Sequence, residues 1–255
     1  LKVSVTKAFR QFRFMHFFKN DFEDNVGISI MSLIFTAYFM GIIGVFRFAP
    51  AFLILTSAIG IVLFFYDCTK SGRLFYKSIS SGMVLWMVVI TVLFVFIHHN
   101  IIGDPDTVFH MGKCKYMFWT DELAFAPGYH FLIPVFAFLF ERINGVFVED
   151  IFLLAIKIYE FSLLFTFLNV IKISDKRKNA ILKIVVFTLC TILTVAVLPN
   201  AYFTAMMDIP FAVTTAYAIK NIYLNNITRE SLYKVISSSL ALVLIKRSGI
   251  PVILL

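Results

Sequence analysis

The chain alternates long apolar runs with short polar breaks, and the runs have the length of membrane-crossing helices. A span needs about 20 mainly apolar residues, within a range of about 17–25. On that basis residues 28–46, 49–66, 82–97, 151–171, 181–198, 210–224 and 232–245 are predicted as spans. Residues 47–50 tightly connect the first two. Lys157 and Glu160 interrupt the fourth span. Three apart on a helix, they share a face and are expected to neutralise each other inside the bundle. Ahead of the first span, Lys7, Arg10, Arg13 and Lys19 stand among Phe9, Phe12, Phe14, Phe17 and Phe18. A basic, aromatic helix of this kind lies on an anionic membrane face.

Composition sharpens the picture. Hydrophobic residues make up 60% of the chain and charged residues 15%, with a mean hydropathy of +0.89. A soluble domain is nearer half apolar and a quarter charged, so the expected fold is an all-α polytopic transmembrane bundle of about seven spans. The net charge of +8 does not call for nucleic acid, because the basic residues cluster at the ends of apolar segments. Cys68, Cys114 and Cys190 have neither disulfide logic nor metal-site spacing. No cleavable signal is visible. The chain starts at Leu1 and stops inside the apolar run 250–255, as a piece of a longer protein would.

Loop charge sets the orientation. The basic N-terminal segment and the loop with Lys70, Arg73 and Lys77 are cytoplasmic, so residues 98–150 begin on the outer face. That loop is acidic, with Asp104, Asp106, Asp121, Glu122, Glu141, Glu149 and Asp150 against Lys113, Lys115 and Arg142. The run 131–140 is too short to span. Laying 127–140 on the outer surface keeps the basic loop with Lys172, Lys176, Arg177, Lys178 and Lys183 cytoplasmic. Asp208, Lys246 and Arg247 then share the outer face with Asp104 and Asp106. The chain divides into a basic cytoplasmic segment (1–25), an N-terminal helix pair with its loop (26–80), and a core (81–255) carrying the outer loop 98–150. The expected location is a bacterial plasma membrane.

Gly103-Asp104-Pro105-Asp106-Thr107-Val108-Phe109-His110 is the stretch richest in chemistry. Acids at a bilayer lip are costly and are more often kept for function than for stability. Asp104, Asp106, His110 and Asp208 can supply a general base or hold a divalent metal. Lys246 and Arg247 can neutralise a phosphate. The plainer readings are a turn and helix cap at Asp104 and Asp106, a loop histidine at His110, a helix-starting acid at Asp208, and snorkelling cations at Lys246 and Arg247. His98 and His99 read as headgroup-level polar residues. Asp121 and Glu122 read as helix-starting acids in an interfacial loop.

At these residues the chain resembles the GT-C type polytopic glycosyltransferases, including the protein-mannosyltransferase-like and aminoarabinose-transferase-like branches. That family places an acidic motif in its first large outer loop, as Asp104-Pro105-Asp106 with His110 does here. A Pro-Gly-Tyr-type element then opens a juxtamembrane helix, as in Pro127-Gly128-Tyr129-His130. A second acid follows in the next outer loop, as in Met207-Asp208-Ile209-Pro210. A Leu-x-Lys-x-x-Gly-type element closes the set, similar to Leu244-Ile245-Lys246-Arg247-Ser248-Gly249. The resemblance covers residues 82–255, and the first two spans are extra to the simplest family arrangement. It implies inverting transfer of a sugar from a polyprenyl-phosphate carrier at the outer face. Asp104 or Asp106 would be the base, with Asp208 beside it. Lys246, Arg247 or a metal would compensate the leaving phosphate, with His110, Tyr129 and His130 in support. A polytopic transporter or a non-catalytic envelope assembly protein are the alternatives.

Overall fold

The computed structural model describes residues 22–71, 81–97, 105–123, 131–171, 176–197, 207–223 and 229–246. All regular structure among them is helical. The elements are α1 (Phe22–Ile42), a 3-10 turn (Phe46–Phe48), α2 (Ala49–Ser71), α3 (Ser81–Ile97), α4 (Pro105–Thr120), α5 (Leu132–Asn144), α6 (Glu149–Phe165), a second 3-10 turn (Thr166–Val170), α7 (Lys176–Val197), α8 (Asp208–Tyr223) and α9 (Arg229–Ile245). Each of the seven predicted spans coincides with one of these helices over the described residues. The expected N-terminal surface helix lies outside the described residues.

Helix α6 is the centre of the bundle, touching α1, α3, α5 and α8. It is buried almost throughout, from Phe152 to Phe165. Close packing against α1 depends on Gly27, where a Cβ would stand 2.8 Å from Leu163 and 3.2 Å from Thr166. Helix α1 ends where Gly44 adopts φ +78° and the Val45 N–H bonds back to the Met40 carbonyl at 2.9 Å. Phe46 then turns inward and stacks on Phe138 of α5, with ring centres 4.2 Å apart. Pro50 falls in the first turn of α2, where its missing N–H removes no helical hydrogen bond.

Two helical segments, Asn25–Ile42 and Glu149–Leu168, are long and apolar enough to cross a membrane among the described residues. Seven spans are therefore not supported. Three of the seven helices fall at or below the short end of the span range. Helices α3, α8 and α9 have 17, 16 and 17 residues, which is about 24–26 Å at 1.5 Å per residue against a hydrocarbon layer of about 30 Å. Lys220 sits in the last turn of α8, and Arg229, Glu230 and Lys234 lie in α9.

Helix α5 corrects the outer-surface assignment over residues 131–140; residues 127–130 lie outside the described residues. Every residue from Leu132 to Leu139 is buried, with no exposed face between them. The helix packs against α1, α2, α4, α6 and α9. A short apolar run has a third choice besides spanning and lying flat, which is to fill the interior, and this one takes it. Asp121 is also corrected: it ends a helix instead of starting one. It follows α4 with φ +56°, and its N–H bonds to the Met117 carbonyl at 3.0 Å. Asp tolerates this left-handed conformation better than most residues.

Polar groups inside the bundle find partners on their own helix and on neighbouring ones. Lys157 Nζ pairs with Glu160 Oε2 at 2.8 Å, and both side chains are buried. The Thr214 hydroxyl donates to the Pro210 carbonyl at 2.6 Å. Its single proton is then used, so Tyr159 donates the 2.7 Å hydrogen bond that joins it to Thr214 Oγ1. Trp86 Nε1 donates to Ser162 Oγ at 2.9 Å, tying α3 to α6.

Candidate functional site

Helix ends bring the candidate residues together. Asp208 opens α8, where a carboxylate is favoured by the amide dipoles of the first turn. Lys246 follows the last residue of α9, where a cation is favoured for the complementary reason. Met207 is buried and accepts the Phe211 N–H at 3.1 Å, fixing the start of α8. Helices α8 and α9 pack along one another. Their antiparallel course brings Asp208 and Lys246 into an ion pair between Nζ and Oδ1. The pair is open to solvent, with side-chain exposures of 39% for Lys246 and 73% for Asp208.

Helices α5 and α4 join at the same end. The Phe131 N–H, at the entrance to α5, donates to the Leu244 carbonyl of α9 at 3.0 Å. The Phe131 ring in turn lies 5.3 Å from Lys113 Nζ of α4. Lys113 also stands 4.4 Å from the Phe109 ring, four residues earlier on its own helix. Tyr38 of α1 also reaches Phe131, with ring centres 6.2 Å apart. A continuous line of contacts therefore runs from Lys113 through Phe131 and Leu244 to Lys246 and Asp208.

Lys113 is a functional candidate that the sequence did not single out. It is only 7% exposed, and burial lowers its pKa to about 8, so the ammonium form still dominates at neutral pH. The available signal was Phe109 at four residues' spacing, which offers a ring face to a helical cation.

The acidic motif begins α4. Pro105 is the first helical residue and Asp106 lies in the first turn, the position where Pro is tolerated and acids are favoured. His110 follows one turn later, buried to 4% exposure, with its ring edge-on to Phe109 at 5.2 Å. It is part of the helix packing and not a loop histidine. Asp104, His98, His99, Tyr129, His130 and Arg247 lie outside the described residues. No group of three or more His, Cys, Asp or Glu side chains suited to a metal occurs among the described residues. Asp208 is engaged by the Lys246 ammonium, and the His110 ring packs edge-on against Phe109.

At the far end of α4 and α5 stands a second polar cluster. Asp121 Oδ2 pairs with Arg142 at 2.6 Å. Glu141, fully buried, accepts the Val148 N–H at 2.9 Å and so holds the entrance to α6. Burial pushes its pKa from the ordinary 4.5 to about 7, against the lowering effect of the Val148 and Phe152 N–H groups. Cys114 is buried beside it, and its thiol is pushed well up by burial and then by the nearby carboxylate. No protein-family model, curated protein or solved structure matches this chain.

Proposed function

We propose that this chain is part of an integral membrane glycosyltransferase that moves a sugar from a polyprenyl-phosphate carrier to an acceptor at the outer membrane face. The observation that carries the reading is the shared end of the bundle. Cations from α4 and the end of α9 and the carboxylate that opens α8 belong to one line of contacts, and α4 also carries the acidic motif in its first turn. A lipid phosphate leaving group asks for that combination.

In this reaction Asp106 or Asp104 orients the acceptor hydroxyl and takes its proton. The hydroxyl oxygen attacks the anomeric carbon as the bond from that carbon to the phosphate oxygen breaks. The electron pair leaves with the polyprenyl phosphate, and the anomeric configuration inverts. Lys246, Arg247 and Lys113 compensate the charge that develops on the phosphate. Asp208 keeps Lys246 in place until the phosphate arrives and competes for it. A divalent metal on Asp104, Asp106, His110 and Asp208 is the variant form of this reading, and no step above depends on it.

The test uses membranes containing the full-length protein and a labelled polyprenyl-phosphate sugar, with release of the lipid phosphate as readout. Asp106→Asn or Asp104→Asn is expected to abolish release at unchanged protein level. Full activity in both single variants and in the double variant would sink the catalytic assignment. A transporter is the second reading, favoured by the buried Lys157–Glu160 pair in one of the two candidate spans. It predicts solute flux that is lost in Glu160→Gln and kept in Asp106→Asn.

A further inference from the structure

The N-terminal helix pair carries a second feature, built from other residues than the Asp208–Lys246 pair. A groove of about 490 Å³ lies between α1, α2, α3, α5 and α6. Leu33, Leu53, Ser57, Trp86, Phe136 and Ile158 are among its walls. The Trp86 indole N–H is already donated to Ser162, so Ser57 supplies the only side-chain hydroxyl there. A bound water needs two to four polar partners, and this groove does not provide them. It suits hydrocarbon. Its outer lip merges with the exposed apolar faces of α2 and α3, including Leu55, Val62, Met87 and Val88.

A charge precedes the α2 residues of the groove along the chain. Arg47 is the one charged residue in the whole stretch 25–66. It is exposed, rests 4.6 Å over the Phe48 ring and makes no ion pair among the described residues. Its neighbour Phe46 stacks on Phe138 of α5, the helix that lends Phe136 and Phe140 to the groove. Leu53, the first groove residue of α2, comes six positions after Arg47, or about 9 Å along a helix. A cation one to two turns before an apolar groove wall is complementary to an amphiphile with an anionic head and one insertable chain.

We infer that Arg47 and this groove bind one phospholipid of the bilayer, with its phosphate on the guanidinium and one acyl chain between α1–α2 and the rest of the bundle. The lipid then mortars the N-terminal helix pair to α5 and α6. This inference rests on the chain lying in a bilayer and not on sugar transfer, since none of these residues belongs to the proposed transfer site.

The test places the full chain in phosphatidylcholine vesicles with a trace of phosphatidylglycerol carrying a diazirine in one acyl chain. Light-induced adducts are expected on the groove floor, at Phe136 and Ile158, as well as on the outward Leu55 and Val62. Phe136 and Ile158 are buried, so a lipid that only brushes the surface does not reach them. Arg47→Gln is expected to lower floor labelling about tenfold relative to Val62, the effect of losing one charge-assisted contact. Arg47→Lys restores most of it. Ala58→Trp, or the milder Ala58→Leu, fills the mouth and removes floor labelling while Val62 stays labelled. Adducts confined to Leu55 and Val62 overturn the inference, as does floor labelling indifferent to Arg47→Gln. Loss of floor labelling to equimolar polyprenyl phosphate overturns the choice of a bilayer phospholipid. If Val62 itself is unlabelled, the membrane reading falls with it, an outcome the transfer assay reads independently.

Discussion

Two lysine–carboxylate pairs in this molecule have nearly the same chemistry and opposite settings. Lys157 and Glu160 lie on one helix, three residues apart, with side chains only 1% and 4% exposed. Lys246 and Asp208 join two helices at the end of the bundle and are 39% and 73% exposed. The same Coulomb attraction at 4 Å is about 1 kcal/mol in water and about 4 kcal/mol at the effective dielectric of a protein surface region. Burial also removes the alternative, because neither buried partner can turn to water. The inner pair is thus committed to the fold. The outer pair opens at little cost, as a group that must receive a substrate requires.

The comparison is broken most sharply at the inner pair. Lys157→Ala leaves the Glu160 carboxylate alone among apolar neighbours. Its Oε1 already has no hydrogen-bond partner among the described residues, so little local compensation is on hand. The expected loss is about 3–5 kcal/mol, read as a lowered unfolding midpoint of the full chain in detergent. Replacing both together, Lys157→Met with Glu160→Leu, is expected to fall within about 1 kcal/mol of the parent or above it. If the double variant is as unstable as the single one, the pair matters for more than mutual neutralisation.

Glu141 tests the same logic with a carboxylate that has no cation partner among the described residues. Its folded pKa of about 7 stands above the ordinary 4.5. Between those values the folded chain holds a proton that the unfolded chain has released. Stability therefore falls as pH rises from about 4.5 to about 7, by at most about 3 kcal/mol, and is level outside that window. Glu141→Gln is expected to flatten the dependence. Unfolding curves of both proteins across pH 4 to 8 measure it, and parallel curves would show that Glu141 titrates normally.

Much of the helix inventory was legible from apolar runs and the breaks between them, because bundle helices and spanning helices share that signal. Depth was not legible. Hydropathy says that residues 131–140 avoid water, and it does not say whether lipid or protein surrounds them. The neighbours that bury Leu132 to Leu139 come from α1, α2, α4, α6 and α9, which no local pattern reveals. Helix α4 was read as loop because Lys113 and Lys115 dilute its apolar residues, although Pro105 at its first position was a usable start signal. Loop charge and span counting put Asp208 and Lys246 on one side, although Lys246 and Arg247 there run against the cytoplasmic bias of basic residues. Their contact needed the antiparallel packing of α8 and α9, as Lys113 needed the approach of Phe131. Charges near helix ends read as solvated from sequence, and so Glu141 escaped notice.

The smallest effect on stability is expected at the outer pair, and it decides what that pair is for. Lys246→Ala or Asp208→Asn removes an exposed ion pair of the kind that contributes about 0.2–1 kcal/mol. Salt screens such contacts over about 8–10 Å at ordinary ionic strength, so the difference from the parent shrinks further as salt is raised. Release of polyprenyl phosphate should respond far more strongly. Loss of one preorganised cation facing a leaving phosphate is expected to slow it by about a hundredfold or more, while Lys246→Arg retains part of the rate. Unfolding midpoints and release rates measured on the same preparations separate the two roles. A variant whose stability and release fall by matching free energies would make Lys246 a structural tie between α8 and α9. Intact stability with lost release would leave the exposed pair free for chemistry, in contrast to the buried one.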